Sequence, residues 1–131
     1  MNLGGVGEAI VMLQDTEQGM AIQTFVSDQW SQVIGYSKEE LLGMSFFDLV
    51  HPAHREASME RHQRKMQGEN IPGLFELSVI RKDGTEVPIE VTSAYTTYQG
   101  KRGNVAYIRE ITERKRSEEQ LIVTDRLASV G

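Results

Sequence analysis

Leu74-Phe75-Glu76-Leu77-Ser78-Val79-Ile80-Arg81-Lys82-Asp83-Gly84-Thr85-Glu86-Val87-Pro88-Ile89-Glu90-Val91-Thr92 is the stretch that decides the fold. Phe75, Leu77 and Val79 alternate with Glu76 and Ser78, and Val87, Ile89 and Val91 alternate with Pro88, Glu90 and Thr92. A period of two puts each apolar set on one face of a strand. Between the runs, Lys82-Asp83-Gly84-Thr85 supplies the Asp-Gly turn that reverses an antiparallel pair. A second turn at Gln99-Gly100-Lys101 leads into a third long strand over 105–111.

Upstream, residues 9–14 and 21–26 read as two short strands joined through a polar turn at 15–19. Ser27 or Asp28 can then accept from free helix N–H groups, and Gly35 offers a left-handed exit, which predicts one short helix. Ser37 and Glu40 have the capping-box spacing, and Gly43 stops a second. Ser45 and Asp48 repeat that spacing. Pro52 follows where a first helical turn tolerates a missing donor, and a longer helix runs to Gln67 with Gly68 as terminator. Two strands, several helices and three strands make an α+β chain with one antiparallel sheet.

The 131 residues suit a single domain. Fourteen Lys and Arg against 19 Asp and Glu leave a net charge of -5, which repels a phosphate backbone and argues against a nucleic-acid partner. With no cysteine there is no disulfide framework, thiolate metal cluster or cysteine nucleophile. No apolar run approaches the roughly 20 residues of a membrane span. The first seven residues lack a basic segment followed by an apolar one, so the expected location is the cytoplasm. Ser27, Ser31, Ser37 and Ser45 serve mostly as caps. No nucleophile–base–acid set or phosphate-cradling loop accompanies them, so this segment is not read as an enzyme. His51 and His54 are three apart, but Pro52 lies between them and no acidic pair completes a ligand set, so no metal is expected.

Beyond Thr112 the chain mixes acidic and basic side chains without proline, as a solvated helix does. Ser117, Leu121, Thr124 and Ala128 recur at spacings of four, three and four, a seam on which an identical helix could pack to make a homodimer.

Five motifs in order carry a family likeness. They are Phe25-Val26-Ser27-Asp28, then Ile34-Gly35-Tyr36-Ser37-Lys38-Glu39-Glu40-Leu41-Leu42-Gly43, Asp48-Leu49-Val50-His51-Pro52, Arg81-Lys82-Asp83-Gly84-Thr85 and Arg109-Glu110-Ile111-Thr112-Glu113-Arg114-Lys115. Together they resemble a PAS domain, the sensory fold of bacterial signalling proteins. The resemblance implies a five-stranded antiparallel sheet with helices on one face and a C-terminal connector helix. It divides the chain into a cap or flexible segment at 1–8, the sensor domain at 9–112 and a signalling helix at 113–131. Ala53 and His54 depart from the family's usual acidic pair, and Glu110 stands where the family has aspartate. That acid couples the last strand to the outgoing helix in the family, which marks Glu110, Ile111 and Thr112 as signal-coupling residues. Residues 124–131 look like the start of the dimerisation and phosphoacceptor helix of sensor histidine kinases. The implied role is regulation of a downstream kinase domain in the same chain; the alternative is a ligand-free dimerisation module.

Alternation points Phe75, Leu77, Val79, Ile89 and Val91 inward, with Ser93, Ala106 and Ile108. Period alone leaves either Met12 with Gln14 or Val11 with Leu13 facing in on the first strand, and the resemblance favours Met12. Met59, His62 and Met66 share one face of the long helix and complete a candidate lining for a small apolar ligand. The related light-oxygen-voltage domains hold flavin through strand amides and a reactive cysteine. Val79, Ile89 and Ile108 replace the amides and Phe46 the cysteine, which argues against flavin, since unpaired polar edges cost about 1–3 kcal/mol each. Haem-binding members ligate iron near the end of the long helix, where this chain has Glu69 and Asn70. His62, earlier on that helix, is a weak stand-in, so haem is not expected either.

Overall fold

The computed structural model describes residues 7–130, with side chains through residue 122. Its elements run β1 (Glu8–Thr16), β2 (Gly19–Val26), α1 (Asp28–Ile34), α2 (Lys38–Leu41), a 3-10 turn (Phe46–Asp48), α3 (Pro52–Met66), β3 (Leu74–Ile80), β4 (Glu86–Tyr98), β5 (Lys101–Glu110) and α4 (Thr112–Val130). One curled antiparallel sheet of order β2-β1-β5-β4-β3 holds all five strands. The β1–β2 hairpin and the β3–β4–β5 meander join along β1 and β5, where Ala9 faces Ile108 and Val11 faces Ala106. Most of the proposed 1–8 cap segment lies outside the described residues, and Glu8 is already in β1.

Opposite residues share a face of a sheet. This register therefore turns Ala9, Val11 and Leu13 inward with Ala106 and Ile108, all of them buried, and corrects the expectation for Met12, which lies on the other face. Gln14 is buried as well, since β1 bulges against β2 around it. Its Nε2 donates toward the carbonyls of Tyr98, Lys101 and Arg102 at 3.1–3.3 Å, which closes the β4–β5 turn. Gly103 permits the close approach. A Cβ there would lie 2.9 Å from Gln14 Cγ and 3.0 Å from the Leu13 carbonyl oxygen.

The helices cover the inward face. Trp30 of α1 is fully buried and stacks on Phe46 at 6.0 Å, while its Nε1–H donates to Gln23 Oε1 at 2.8 Å. Gln23 Nε2 in turn donates to the Leu41 carbonyl at 2.9 Å, so a buried amide ties three elements together with both ends satisfied. Ser37 and Glu40 form the capping box at α2. Ser27 does not cap α1. Its hydroxyl accepts from Ile10 N–H at 3.0 Å and its own N–H donates to the Ile10 carbonyl, because pairing with the neighbouring strand competes for the same groups. Gly35 ends α1 at φ 84°, the left-handed exit. Among the described residues, no helix is long and apolar enough to cross a membrane.

Candidate functional site

A cavity of about 40 Å³ lies between α3 and the sheet. Its apolar walls come from Leu13, Phe46, Phe47, Phe75, Leu77 and Val91, together with Ala106. Its polar lining is Ser58, Arg61, His62, Lys65, Ser93 and Asn104. On a scale where one water needs roughly 10–15 Å³, that is space for about three waters. Of the predicted lining, His62, Phe75, Leu77, Val91, Ser93 and Ala106 are here. Val79, Ile89 and Ile108 lie fully buried in the surrounding core. Met59 lies instead along a surface groove of α3 with Pro52 and Arg55, and Met66 lies beside Asn104, so neither methionine lines the cavity.

His62 is 6% exposed on α3, edge-on to Phe47 at 5.6 Å. Its Nε2 lies 2.7 Å from Asp15 Oδ1 and its Nδ1 3.4 Å from Asn104 Nδ2. Asn104 Nδ2 also donates toward Met66 Sδ, so the amide hydrogens face the ring. That arrangement fits the neutral tautomer in which Nε2–H donates to Asp15. Ligation of iron through His62 would require breaking one of these two bonds. Asp15 Oδ1 also accepts from Ala21 N–H at 2.9 Å, and Ala21 is held at φ 51°. A non-glycine residue in that region costs energy and persists only where its surroundings enforce it. The bend thereby aims the β1–β2 hairpin's carboxylate at α3.

The far polar wall differs in charge. Lys65 Nζ donates to Ser93 Oγ at 2.7 Å and to the Ser93 carbonyl at 2.8 Å. The Arg61 guanidinium lies 4.5 Å over the Phe75 ring. One turn apart on α3, these cations repel each other. Burial first, and then the Arg61 charge, push the Lys65 ammonium below its ordinary pKa.

At the exit of the sheet, Glu110 Oε1 accepts from Arg81 Nη2 at 3.2 Å and from Thr112 Oγ1 at 2.9 Å. Arg81 Nε donates to the Val33 carbonyl in the last turn of α1 at 2.9 Å. Ile111 is buried, and its N–H donates to the Pro88 carbonyl at 3.0 Å. Arg114 then reaches the outer face of the sheet, bonding Glu90 at 2.9 Å and Glu76 at 3.0 Å, while Lys115 Nζ lies 2.7 Å from Glu76. Hydrogen bonding to Lys115 holds the Glu76 carboxyl below its ordinary range. Of the seam, Ser117 and Leu121 lie on α4 with Leu121 66% exposed, whereas the side chains of Thr124 and Ala128 are outside the described residues. His51 Nδ1 accepts from Ala53 N–H and His54 Nδ1 from Ser78 N–H. Among the described residues, no group of three His, Cys, Asp or Glu side chains could hold a metal ion.

Asp15, Lys65 and Arg114 carry no local sequence signal for the places they take here. Asn104 had a readable signal: it continues the inward alternation of Ala106 and Ile108 by one polar step.

A family model described as PAS domain matches residues 7–113. The chain belongs to the PAS domain family. This PAS domain is 36% identical over 85 residues to the methyl sulfide methyltransferase-associated sensor of Methanosarcina acetivorans, a match covering 65% of the chain and 8% of that protein. It is 26% identical over 93 residues to sporulation kinase A of Bacillus subtilis, covering 71% of the chain and 15% of that protein. The chain thus spans a small part of the length of the relatives it matches. Among solved structures, a sensory box histidine kinase/response regulator from Burkholderia thailandensis superposes with a TM-score of 0.70 at 18% identity, covering 98% of this chain and 95% of that one. The PAS domain of a Desulfitobacterium hafniense protein gives 0.66 at 18% identity, covering 82% and 96%. The chain is a sensory module with homologues in sensor kinases.

Proposed function

We propose that this PAS domain regulates a histidine kinase output in the same protein by changing how α4 leaves the sheet. One observation carries the reading: Arg114, in the first turn of α4, bridges Glu76 and Glu90 on the outer face of the sheet, three residues beyond the buried Ile111. A change on the inner face that shifts β3 against β4 would alter that bridge and the direction of the helix. Glu110 and Thr112 hold the same junction from the side of Arg81. The kinase among its curated relatives supports this reading, as does the exposure of Leu121, which suits pairing of α4 with that of a second copy along Ser117, Leu121, Thr124 and Ala128. The reading places the domain in the cytoplasm, in keeping with a chain that has no cysteine. It uses neither haem nor flavin, since ligand pockets for larger molecules occupy roughly 300–1,000 Å³.

Autophosphorylation of the full-length protein, comparing the native sequence with Arg114→Ala, tests it. The expected result is a changed rate with the sensor domain still folded. An unchanged rate with α4 demonstrably loosened removes the reading. The small cavity favours a second one, a ligand-free module whose core fills its own interior and whose task is dimerisation.

A further inference from the structure

Two features of the α3 cavity lack a partner among the described residues: a buried acceptor has no donor, and two cations have no counter-charge, although Lys65 bonds Ser93 and Arg61 donates to the Pro72 carbonyl. Asn104 is 3% exposed and lines the cavity, and its Oδ1 has no hydrogen-bond partner among the described residues. A buried acceptor without a donor is costly, and each such case calls for an explanation. Lys65 and Arg61 stand on the α3 wall, and neither meets a carboxylate within 4.0 Å among the described residues, although Arg64 on the same helix is paired with Glu69. The remaining lining combines Ser58, His62 and Ser93 with apolar side chains, among them Phe75 and Leu77 of β3 and Val91 of β4.

We propose that the cavity takes a two- or three-carbon 2-hydroxymonocarboxylate, its carboxylate against Lys65 and Arg61 and its hydroxyl donating to Asn104 Oδ1. The anion neutralises two cations that otherwise repel each other beside an apolar wall. The hydroxyl supplies the missing donor. The carbon chain covers Phe75 and Val91. Space for about three waters keeps the ligand small, which excludes tricarboxylates and dicarboxylates of four or more carbons. This rests on the sensory reading above and names the chemical class it would sense. It also gives His62 a part: with its Nδ1 3.4 Å from Asn104 Nδ2, the ring engages the donor side of the amide and leaves Oδ1 for the ligand.

The test is calorimetric titration of the 131-residue chain at constant ionic strength with glycolate, acetate and glycolamide, each checked by its effect on Tm. Saturable glycolate binding is expected, with acetate about tenfold weaker for want of the hydroxyl, since a site built around a hydroxyl rejects the analogue lacking it. Glycolamide, isosteric and neutral, should bind at least tenfold more weakly than glycolate. Lys65→Met should bring glycolate down to the glycolamide level, and Arg61→Met gives the same comparison should the first variant fail to fold. Glycolamide binding as well as glycolate, or glycolate acting no differently from chloride, overturns the proposal. Equal binding of acetate and glycolate overturns the role given to Asn104. The Arg114 experiment involves no ligand, so its failure and the failure of this titration are separate results.

Discussion

Glu76 of β3 and Glu90 of β4 face each other in register across the hairpin, and the guanidinium of Arg114 bonds both. Like charges directly opposite on neighbouring strands destabilise a sheet. The helix therefore brings the cation that its own docking surface needs, and the sheet favours α4 in place over α4 released. Arg114→Ala should lower amide protection across the first two turns of α4 at least tenfold while leaving that of β1 and β5 unchanged. Glu76→Gln in the same background should restore part of the sheet's stability, because it removes the uncompensated repulsion. Hydrogen exchange on the single and double variants checks both, and additive effects would show that the three charges act separately.

Acid should loosen the same junction. Glu76 titrates below its ordinary range, first because it accepts from Lys115 and then through the charges of Lys115 and Arg114, with burial opposing them. A carboxyl depressed in the folded state contributes stability that is present above its unfolded pKa of about 4.3 and is lost as pH falls through the lower folded value. Lys115 is shifted up by the same pair, so its share is present below an unfolded value of about 10.4 and is lost only as pH rises beyond that. Between these limits α4 docking should be flat with pH. Below about pH 4.3 its amide protection should fall ahead of the core's, and Glu76→Gln should abolish the acid limb.

Gln23 is the most exacting polar residue of the core. It is 1% exposed, accepts from Trp30 Nε1–H and donates to the Leu41 carbonyl. Gln23→Leu leaves the buried indole donor of Trp30 unpaired, while the Leu41 carbonyl keeps its bond from Met44 N–H, so the change should cost about 1–3 kcal/mol on urea denaturation. Trp30→Phe in that background removes the orphaned donor but opens a cavity. The double variant should therefore lose less than the sum of the single changes, a coupling seen as non-additivity.

The hairpins and helix limits were legible because they rest on local chemistry. Asp83-Gly84 turns the chain, Ser37 with Glu40 caps, and the alternation from Phe75 to Val91 shows one buried face. What stayed hidden depends on pairing over long separations. Met12 against Val11 could not be decided by period, since both alternations in β1 are apolar enough; only the register of Val11 with Ala106 decides it. Lys65 and Arg61 read as solvated helix charges until α3 is laid over Ser93 and Phe75. Glu76 and Glu90 read as outward polar positions, and nothing local announces that a helix more than twenty residues further on answers them.

The last prediction separates coupling from folding at Glu110. Its carboxylate joins Arg81, and through Arg81 the last turn of α1, to Thr112 at the start of α4. The ion pair is partly exposed, 31% at Arg81 and 24% at Glu110, so it adds only about 1 kcal/mol to stability. Its place is what distinguishes it, because it spans the point where the sheet ends and the helix begins. Glu110→Ala should therefore leave Tm within a few degrees of the native value and shift autophosphorylation of the full-length protein by about threefold or more. Arg81→Met keeps the aliphatic stem and should move the rate in the same direction. The double variant should match either single one, since both remove the same contact. Independent, additive effects on the rate would mean that Arg81 acts through the Val33 carbonyl instead, and would move the coupling from the end of β5 to the end of α1.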